Sequence, residues 1–443
     1  MDCTFSFSSA TLCSLQLDEE QLDQWKYSQR LRPRHREGNL NPVGQGCQNR
    51  ATGGGRTEPL ECRDLLVQNA LFTGDLEMVR KYFTKGAAIN LIIETKGDEL
   101  RWTTCSHISL FYCLVPCICG PSCMVLFPGH LAASSPACAP GTDCVRLLLS
   151  FGADPEAVSE DGYKPLHLCK SPDSIQCVQQ LLQHGASVNS RTEEEDDTAL
   201  HVAARHGLTD HVQLLLRYGA ELEAKNEEGQ TPLNAACAQP HQPQDMERYY
   251  RVCQLLVESG ANINAADRDR QHPLHLACKN TNPQVVELLL ARGANVNIMN
   301  YSGNTALHNI LQATAYKLEH QPELVVRVLL NYGAIRIWPG SLLKVLRYCH
   351  TCPRVIEALM NSYEHVRVSE DWVEAVPAEV VQKYPRFYQS LFSLEQSPRS
   401  LQHLARCTLR TFLEGRLLRV LSQLHLPSAL HRFLLLGFED VLY

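Results

Sequence analysis

Histidine returns at one fixed place along this chain. Lys164-Pro-Leu-His167, Thr198-Ala-Leu-His201, His272-Pro-Leu-His275 and Thr305-Ala-Leu-His308 all end on it, and Thr231-Pro-Leu-Asn234 has asparagine there. An imidazole can act as an acid, a base or a metal ligand. A catalytic histidine, however, is singular and has a partner, whereas one repeated in register does the same job in every copy. The expected job is hydrogen bonding to backbone at a turn. A second candidate is the group Cys113, Cys117, Cys119 and Cys123, which is spaced unlike a zinc knuckle. No nucleophile elbow, phosphate loop or two-histidine metal motif occurs. The expectation is therefore no catalytic residue, no metal and no cofactor.

The elements that position these histidines follow from the spacing. Most copies of the phrase lie about one ~33-residue unit apart, a period that stacks units, none of which can bury its apolar face alone. Each phrase is followed by a helical segment that stops at Gly-Ala: Gly185-Ala186, Gly219-Ala220, Gly260-Ala261, Gly293-Ala294 and Gly333-Ala334. An apolar trio precedes most of these stops, as in Val178, Leu181, Leu182 and in Val286, Leu289, Leu290. The i, i+3, i+4 spacing puts each trio on one helix face. Glycine suits the left-handed residue that ends a helix, and Thr-Pro suits its start. Polar turns such as Ala266-Asp-Arg-Asp269 lie between units and are expected to be exposed hairpin fingers. Two units carry polar insertions, near Gln239–Tyr250 and Ala313–Pro322, which are expected to bulge as loops. Gly152-Ala153 ends an earlier unit with Val145, Leu148 and Leu149. A partial one ends at Gly86, with Val79, Tyr82 and Phe83 in the trio positions.

Bulk properties bound the rest. At 443 residues there is room for two or three domains. A net charge of -7 without a basic, aromatic-interleaved stripe argues against a nucleic-acid partner. Nineteen scattered cysteines and no secretory signal point to reduced thiols inside the cell, in the cytoplasm with the nucleus also open. Residues 1–58 are polar and aperiodic, and disorder is expected there. The uncharged run Ile108–Phe127 is long enough to cross a bilayer. Pro116, Gly120 and Pro121 interrupt it and no charged anchors flank it, so no membrane span is expected. Residues 104–136 read as a stretch that replaces ordinary repeat sequence, as an altered transcript would.

After Gly333 the phrase stops. Leu342, Val345, Leu346, then Val355, Ile356, Leu359, then Trp372, Phe387, Tyr388, Leu391 and Phe392 mark helices that close the end of the array. Ser397-Pro398 opens one more helix, with Leu401, Leu404, Ala405, Thr408, Leu409 and Phe412 on one face, His403, Arg406 and Arg410 on the other, and Gly415 at its end. Such a helix either closes its own domain or lies in a partner's groove. Position alone leaves both open.

The five phrases and six Gly-Ala stops resemble the ankyrin repeat. Ser400-Leu-Gln-His-Leu-Ala-Arg-Cys-Thr-Leu409 resembles the elongin-binding segment of a SOCS box, and Leu424-His-Leu-Pro427 its cullin-selecting segment. Together with Ile335-Arg-Ile-Trp-Pro-Gly340 and the ending Gly437-Phe-Glu-Asp-Val-Leu-Tyr443, they make the chain resemble the ankyrin repeat and SOCS box family over most of residues 60–443, leaving out 104–136. Two positions depart from the family pattern: Ala405 stands where cysteine is usual, and His425 where proline is.

The resemblance implies an all-α repeat fold, an ankyrin solenoid followed by a helical SOCS box. The expected divisions are a partial capping repeat at 59–103, repeats at 137–335, a helical cap at 336–396 and the box at 397–443. It further implies a non-catalytic substrate receptor of an E3 ubiquitin ligase. Leu401, Leu404, Ala405 and Leu409 would meet elongin C, held with elongin B. Leu424, Leu426 and Pro427 would help choose cullin-5 with its RING protein. An unknown protein target would lie on the fingers and concave helices, at Tyr163, Glu194, Glu195, Asn226, Arg268, Arg270 and Tyr301, with Glu228 and Asn304 near them. The acidic finger Glu193–Asp197 reads either as a solvated loop or as a site that steers a basic partner. The competing readings are a plain ankyrin scaffold, whose last helices only cap it, and a hydrolase hidden in the irregular stretch.

Overall fold

The computed structural model describes residues 142–438 apart from 160, 161, 241 and 397, together with 442 and the short pieces 60–62, 76–77, 80 and 91–93. The expectations for residues 1–58, for most of 59–103 and for 104–136, including the four cysteines, lie outside the described residues. Of the partial unit, strands β1 (Leu60–Cys62) and β2 (Leu91–Ile93) are described, paired in parallel with Leu60 opposite Leu91. These two triplets add a small strand pair to an otherwise helical repeat fold.

From residue 142 onward the chain is a stack of helices: α1 (Thr142–Ser150), α2 (Ile175–Gln183), α3 (Ala199–Arg205), α4 (Thr209–Arg217), α5 (Pro232–Ala238), α6 (Met246–Glu258), α7 (Pro273–Asn280), α8 (Pro283–Ala291), α9 (Ala306–Ala313) and α10 (Pro322–Asn331). Lys164-Pro-Leu-His167 is the exception. Its Pro165–Leu168 forms a 3-10 turn where the other phrases open an α-helix. The trios behave as their spacing requires: all their members in α1, α2, α8 and α10 are buried, and in α4 only Leu216 is half-exposed. Each buried leucine contributes roughly 1.5–3 kcal/mol.

The Gly-Ala stop has a mechanical basis. Gly152, Gly185, Gly219, Gly260, Gly293 and Gly333 all have φ between 84° and 100°. This left-handed residue lets the next alanine N–H reach back to a trio leucine carbonyl, as Ala186 does to Leu181 and Ala294 to Leu289, at 3.0 and 2.9 Å. That bond satisfies a carbonyl left open at the helix end.

The insertions do more than bulge. The first includes the short turn Pro243–Asp245 and lengthens α6 by its amino-terminal residues. Tyr249 there is buried and donates its hydroxyl to the Arg205 carbonyl at 3.0 Å. In the second, Lys317 Nζ donates to Asn280 Oδ1 at 3.0 Å, and Asn280 Nδ2 donates to the Cys237 carbonyl at 2.7 Å. Both insertions therefore join neighbouring units, because polar side chains near a loop base find backbone partners there.

Helices α11 (Leu342–Cys349), α12 (Pro353–Met360), α13 (Asp371–Glu374), α14 (Ala378–Lys383) and α15 (Pro385–Phe392) follow. Their Leu346, Ile356, Trp372, Tyr388 and Leu391 lie in the same hydrophobic core as the repeats. The last elements are α16 (Leu401–Leu413), α17 (Leu417–Leu421) and α18 (Ser428–Leu434). They hold only a small core of their own, Leu417, Leu421 and Leu434, with Leu413, Leu426 and Leu435 beside it.

Candidate partner-binding site

The repeated histidine is a strut between units. In each full copy its Nδ1 accepts the N–H of the residue that caps its own helix: Lys164 to His167 at 3.3 Å, and Thr198, His272 and Thr305 to His201, His275 and His308 at 3.2 Å. In three of the four copies Nε2 donates across to the next finger, His167 to the Ser190 carbonyl, His201 to Gln230, and His275 to Ile298 and Asn304, at 2.9–3.1 Å. Asn234 does the same work with a shorter reach, donating Nδ2 to the Ala265 carbonyl at 3.2 Å. Burial lowers His167, His201 and His308, and burial with neighbouring His272 lowers His275 to about 4. The rings are thus neutral at pH 7, the form that can accept at one nitrogen and donate at the other.

The fingers are built alike. Ser159, Thr192, Asn226, Asp267 and Asn300 each accept, through a side-chain oxygen, a backbone N–H four or five residues on. Asn226 is consequently buried in a finger stem, where its Nδ2 also donates to Asp197 Oδ1. Tyr163 is half-buried, and burial and Glu195 raise its pKa. Glu194, Glu195, Glu228, Arg268 and Arg270 are exposed on finger tips, Tyr301 is 75% exposed, and Asn304 is half-buried at a stem. The acidic finger is paired from its middle to its carboxyl end: Asp197 is fully buried against Arg205 at 2.6 Å, Glu195 lies 3.8 Å from the same guanidinium, and Arg191 pairs with Asp196 at 2.7 Å.

The last helix bundle sits on the array by way of one buried and two half-buried arginines. Arg410 donates to the Leu330 and Leu434 carbonyls and to Asn331 Oδ1, at 3.0, 2.7 and 2.7 Å. Arg406 is 2% exposed, donates to the Asn361 and Phe433 carbonyls, and lies 4.3 Å from the Phe433 ring. Arg399 donates to the Met360 carbonyl at 3.2 Å. These acceptors stand in the last turns of α10, α12 and α18, where the helix dipole is negative; Leu330, Met360 and Phe433 also accept a backbone N–H at 3.3 Å, so the arginines add a second donor. His403, fully buried, donates Nε2 to the Tyr363 carbonyl at 2.8 Å and accepts Arg406 Nη2 on Nδ1 at 3.0 Å. Burial, then Arg399, lowers its pKa to about 4.

The consequence for α16 is a reversal of ordinary amphipathicity. Its polar face, His403, Arg406 and Arg410, is turned into the protein. Its apolar stripe faces out, with Leu401 85%, Leu409 46% and Phe412 74% exposed, and Ala405 exposed between them. Steps of four, four and three residues place these four on one side of the helix. Leu404 is half-buried and Cys407 buried. Phe412 belongs to the stripe although it stood outside the expected elongin set; its spacing from Leu401 was the available signal. The helix stops at Leu413, and Glu414 takes the positive φ of 43°, so Gly415 is not the left-handed cap. Gly415 is instead used for closeness: a Cβ on Gly333 would lie 3.0 Å from its Cα. Leu424 is 50% exposed in the loop before α18, Pro427 is exposed, and Leu426 packs on the small core.

A stack of such units ending in this box defines a repeat-built adaptor. Comparison with known proteins agrees on both parts. The family model described as ankyrin repeats (3 copies) matches residues 106–192, 130–226, 190–267 and 244–339, the first match reaching back into the irregular stretch, and the SOCS box model matches 397–435. The chain belongs to the ankyrin repeat and SOCS box proteins. It is 37% identical to ankyrin repeat and SOCS box protein 16 of Homo sapiens over 98% of both chains. It is 52% identical to protein 10 of Homo sapiens over 66% of this chain and 64% of that one, and 43% identical to protein 18 of Homo sapiens over 80% and 82%. Among the described residues no helix is long and apolar enough to cross a membrane.

Proposed function

We propose that this protein is the substrate-recognition subunit of an E3 ubiquitin ligase built on elongins B and C, cullin-5 and a RING protein. The observation that carries the reading is the outward apolar stripe of α16, Leu401, Ala405, Leu409 and Phe412, on a helix whose polar face is already committed to the chain itself. A buried face cannot dock a partner, and a free stripe of large apolar side chains needs one. Leu401 enters the elongin C cleft in this reading, with Leu404 beside it. Leu424, Leu426 and Pro427 face the cullin. Ubiquitin passes from a conjugating enzyme to a lysine of a protein held on the ankyrin fingers. The chain contributes no reacting group; it raises the local concentration of that lysine near the loaded enzyme. The setting is the cytoplasm, with the nucleus also open, and the target is marked for the proteasome.

Affinity purification of the full chain and of Leu401→Asp tests this. Elongins B and C and cullin-5 should co-purify with the first and disappear from the second, while proteins held by the repeats stay with both. An intact, folded chain that ignores an equimolar mixture of the two elongins would overturn it.

A further inference from the structure

The finger tips are joined to one another, and their exposed side chains change in kind along the row. Glu193 N–H donates to the Gly162 carbonyl, Glu227 to Glu195, Arg268 to Glu228 and Tyr301 to Asp269, at 2.9–3.2 Å. Five fingers are thus tied tip to tip by backbone bonds, and the side chains on them keep a fixed order. Glu193, Glu194, Glu227 and Glu228 are exposed on neighbouring tips and enter no ion pair among the described residues. Arg268 and Arg270 are exposed on the next, on either side of an exposed Asp269, and are likewise in no ion pair among the described residues. Tyr301 follows at 75% exposure. Beyond it, where another finger would start, Ile335 is 59% and Trp338 66% exposed, with the Ile335 N–H held by Asn297 Oδ1 at 2.8 Å.

Elsewhere on this surface the chain neutralises its own charges, as Arg205 does for Asp197 and Arg191 for Asp196. The tip carboxylates and guanidiniums are left to solvent although opposite charges stand one finger away. Held on separate tips they keep both signs available, and a chain crossing the row meets first a run of carboxylates, then two guanidiniums with the Asp269 carboxylate between them, then aromatic side chains of the type that anchors interfaces.

We propose that the finger row is a docking track for an extended segment of the target protein that carries lysine or arginine, then aspartate or glutamate, then a large apolar side chain, in that order across Glu194/Glu228, Arg268/Arg270 and Tyr301/Trp338. This assignment rests on the substrate-receptor reading and gives it a ligand chemistry. The order is the specific content: a segment with the same residues and the two charged blocks exchanged sets its acidic block against Glu194 and Glu228, where like charges repel.

The probes are two fluorescent synthetic peptides of equal composition, one with blocks Lys-Lys-Lys, Asp-Asp, Trp-Leu and one with the charged blocks exchanged, titrated onto the full chain purified with elongins B and C. The first should bind at least about tenfold tighter at low salt. The double variant Glu194→Lys/Glu228→Lys should lose that preference, and Arg268→Glu/Arg270→Glu should lose it independently. Tyr301→Ser/Trp338→Ser should weaken both peptides alike. Equal binding of the two orders by the wild-type chain, or an undiminished preference in either charge-reversed variant, would overturn the track. Elongin retention is read in the same preparations through Leu401→Asp, so a failed track and a failed ligase assignment give different results.

Discussion

Replacing Arg410 by methionine isolates what fastens the box to the repeats. Methionine keeps most of the side-chain stem and removes three donated bonds, to the Leu330 carbonyl, the Leu434 carbonyl and Asn331 Oδ1. Hydrogen bonds from a charged donor are worth about 1.5–3 kcal/mol each, but ending the burial of the guanidinium returns part of that. The net expectation is about 3 kcal/mol, or about a hundredfold in an opening equilibrium. The box has only Leu417, Leu421 and Leu434 as a core of its own, so the loss should appear as local opening and not as melting of the stack. Hydrogen–deuterium exchange of peptides spanning 399–438 should accelerate by about that factor, while helices α3 to α9 keep their protection. Arg410→Lys should fall between, because an ammonium lacks the guanidinium fork that spans acceptors on two helices. Unchanged exchange in the box, or equal acceleration throughout the chain, would refute the argument that these cations are the fastening.

Two further outcomes follow from the same structure. Burial holds His211, His275 and His403 down to about 4. Between there and the usual ~6.5 the unfolded chain binds protons that the folded chain refuses, so stability is fully present above pH 6.5 and falls as the pH drops toward 4, by about 1.4 kcal/mol per unit for each histidine. Thermal melts at pH 7.5 and pH 5 check this, and a flat profile across that window would show the rings to be charged in the fold. The second concerns two glycines with similar positive φ, Gly185 at 94° and Gly333 at 89°. A Cβ at Gly185 meets nothing within 4 Å, so Gly185→Ala should cost only backbone strain, about 1–2 kcal/mol by urea unfolding. Gly333→Ala adds a 3.0 Å approach to Gly415 and should cost more, with faster exchange in the box. Equal costs would mean that the close contact carries no weight.

The repeats were legible because their constraints are local. A glycine before alanine, a trio at i, i+3, i+4 and a Thr-Pro start each specify a backbone conformation within a few residues, and the helices stand where those signals put them. The role of the histidine was legible for the same reason, since a residue repeated in register must meet a repeated partner. Asn226 shows the limit. It sits in a finger and is polar, which suggests a surface residue. Only the pairing of Asn226 with Asp197, 29 positions earlier in the chain, reveals that the polar group is a buried stem. The insertion at α6 failed in the same way: Tyr249 looks like loop sequence until the Arg205 carbonyl, 44 residues back, is brought to its hydroxyl.

The reading of α16 depended on a question that spacing cannot answer. Periodicity divides the helix into an apolar and a basic face, and either face could be the inner one. The usual preference would bury the leucines. Here the inner surface that α16 meets is made of helix ends, α10, α12 and α18, each presenting carbonyls that can accept a further donor. Leucine in that place would remove these charged donors and leave the Leu434 carbonyl without its Arg410 bond, at about 1–3 kcal/mol, whereas arginine bonds the carbonyls and suits the negative end of each dipole. The arginines therefore face in, and the leucines and Phe412 must face out. An apolar stripe forced to the surface by the needs of three helix ends is stable in water only at a cost, and a partner that covers it lowers the free energy of the whole box. Elongin binding, on this argument, should tighten the contact between box and repeats as well as recruit the ligase: hydrogen exchange at residues 399–438 should slow when the elongins are added, and exchange that stays the same in a formed complex would separate the two effects.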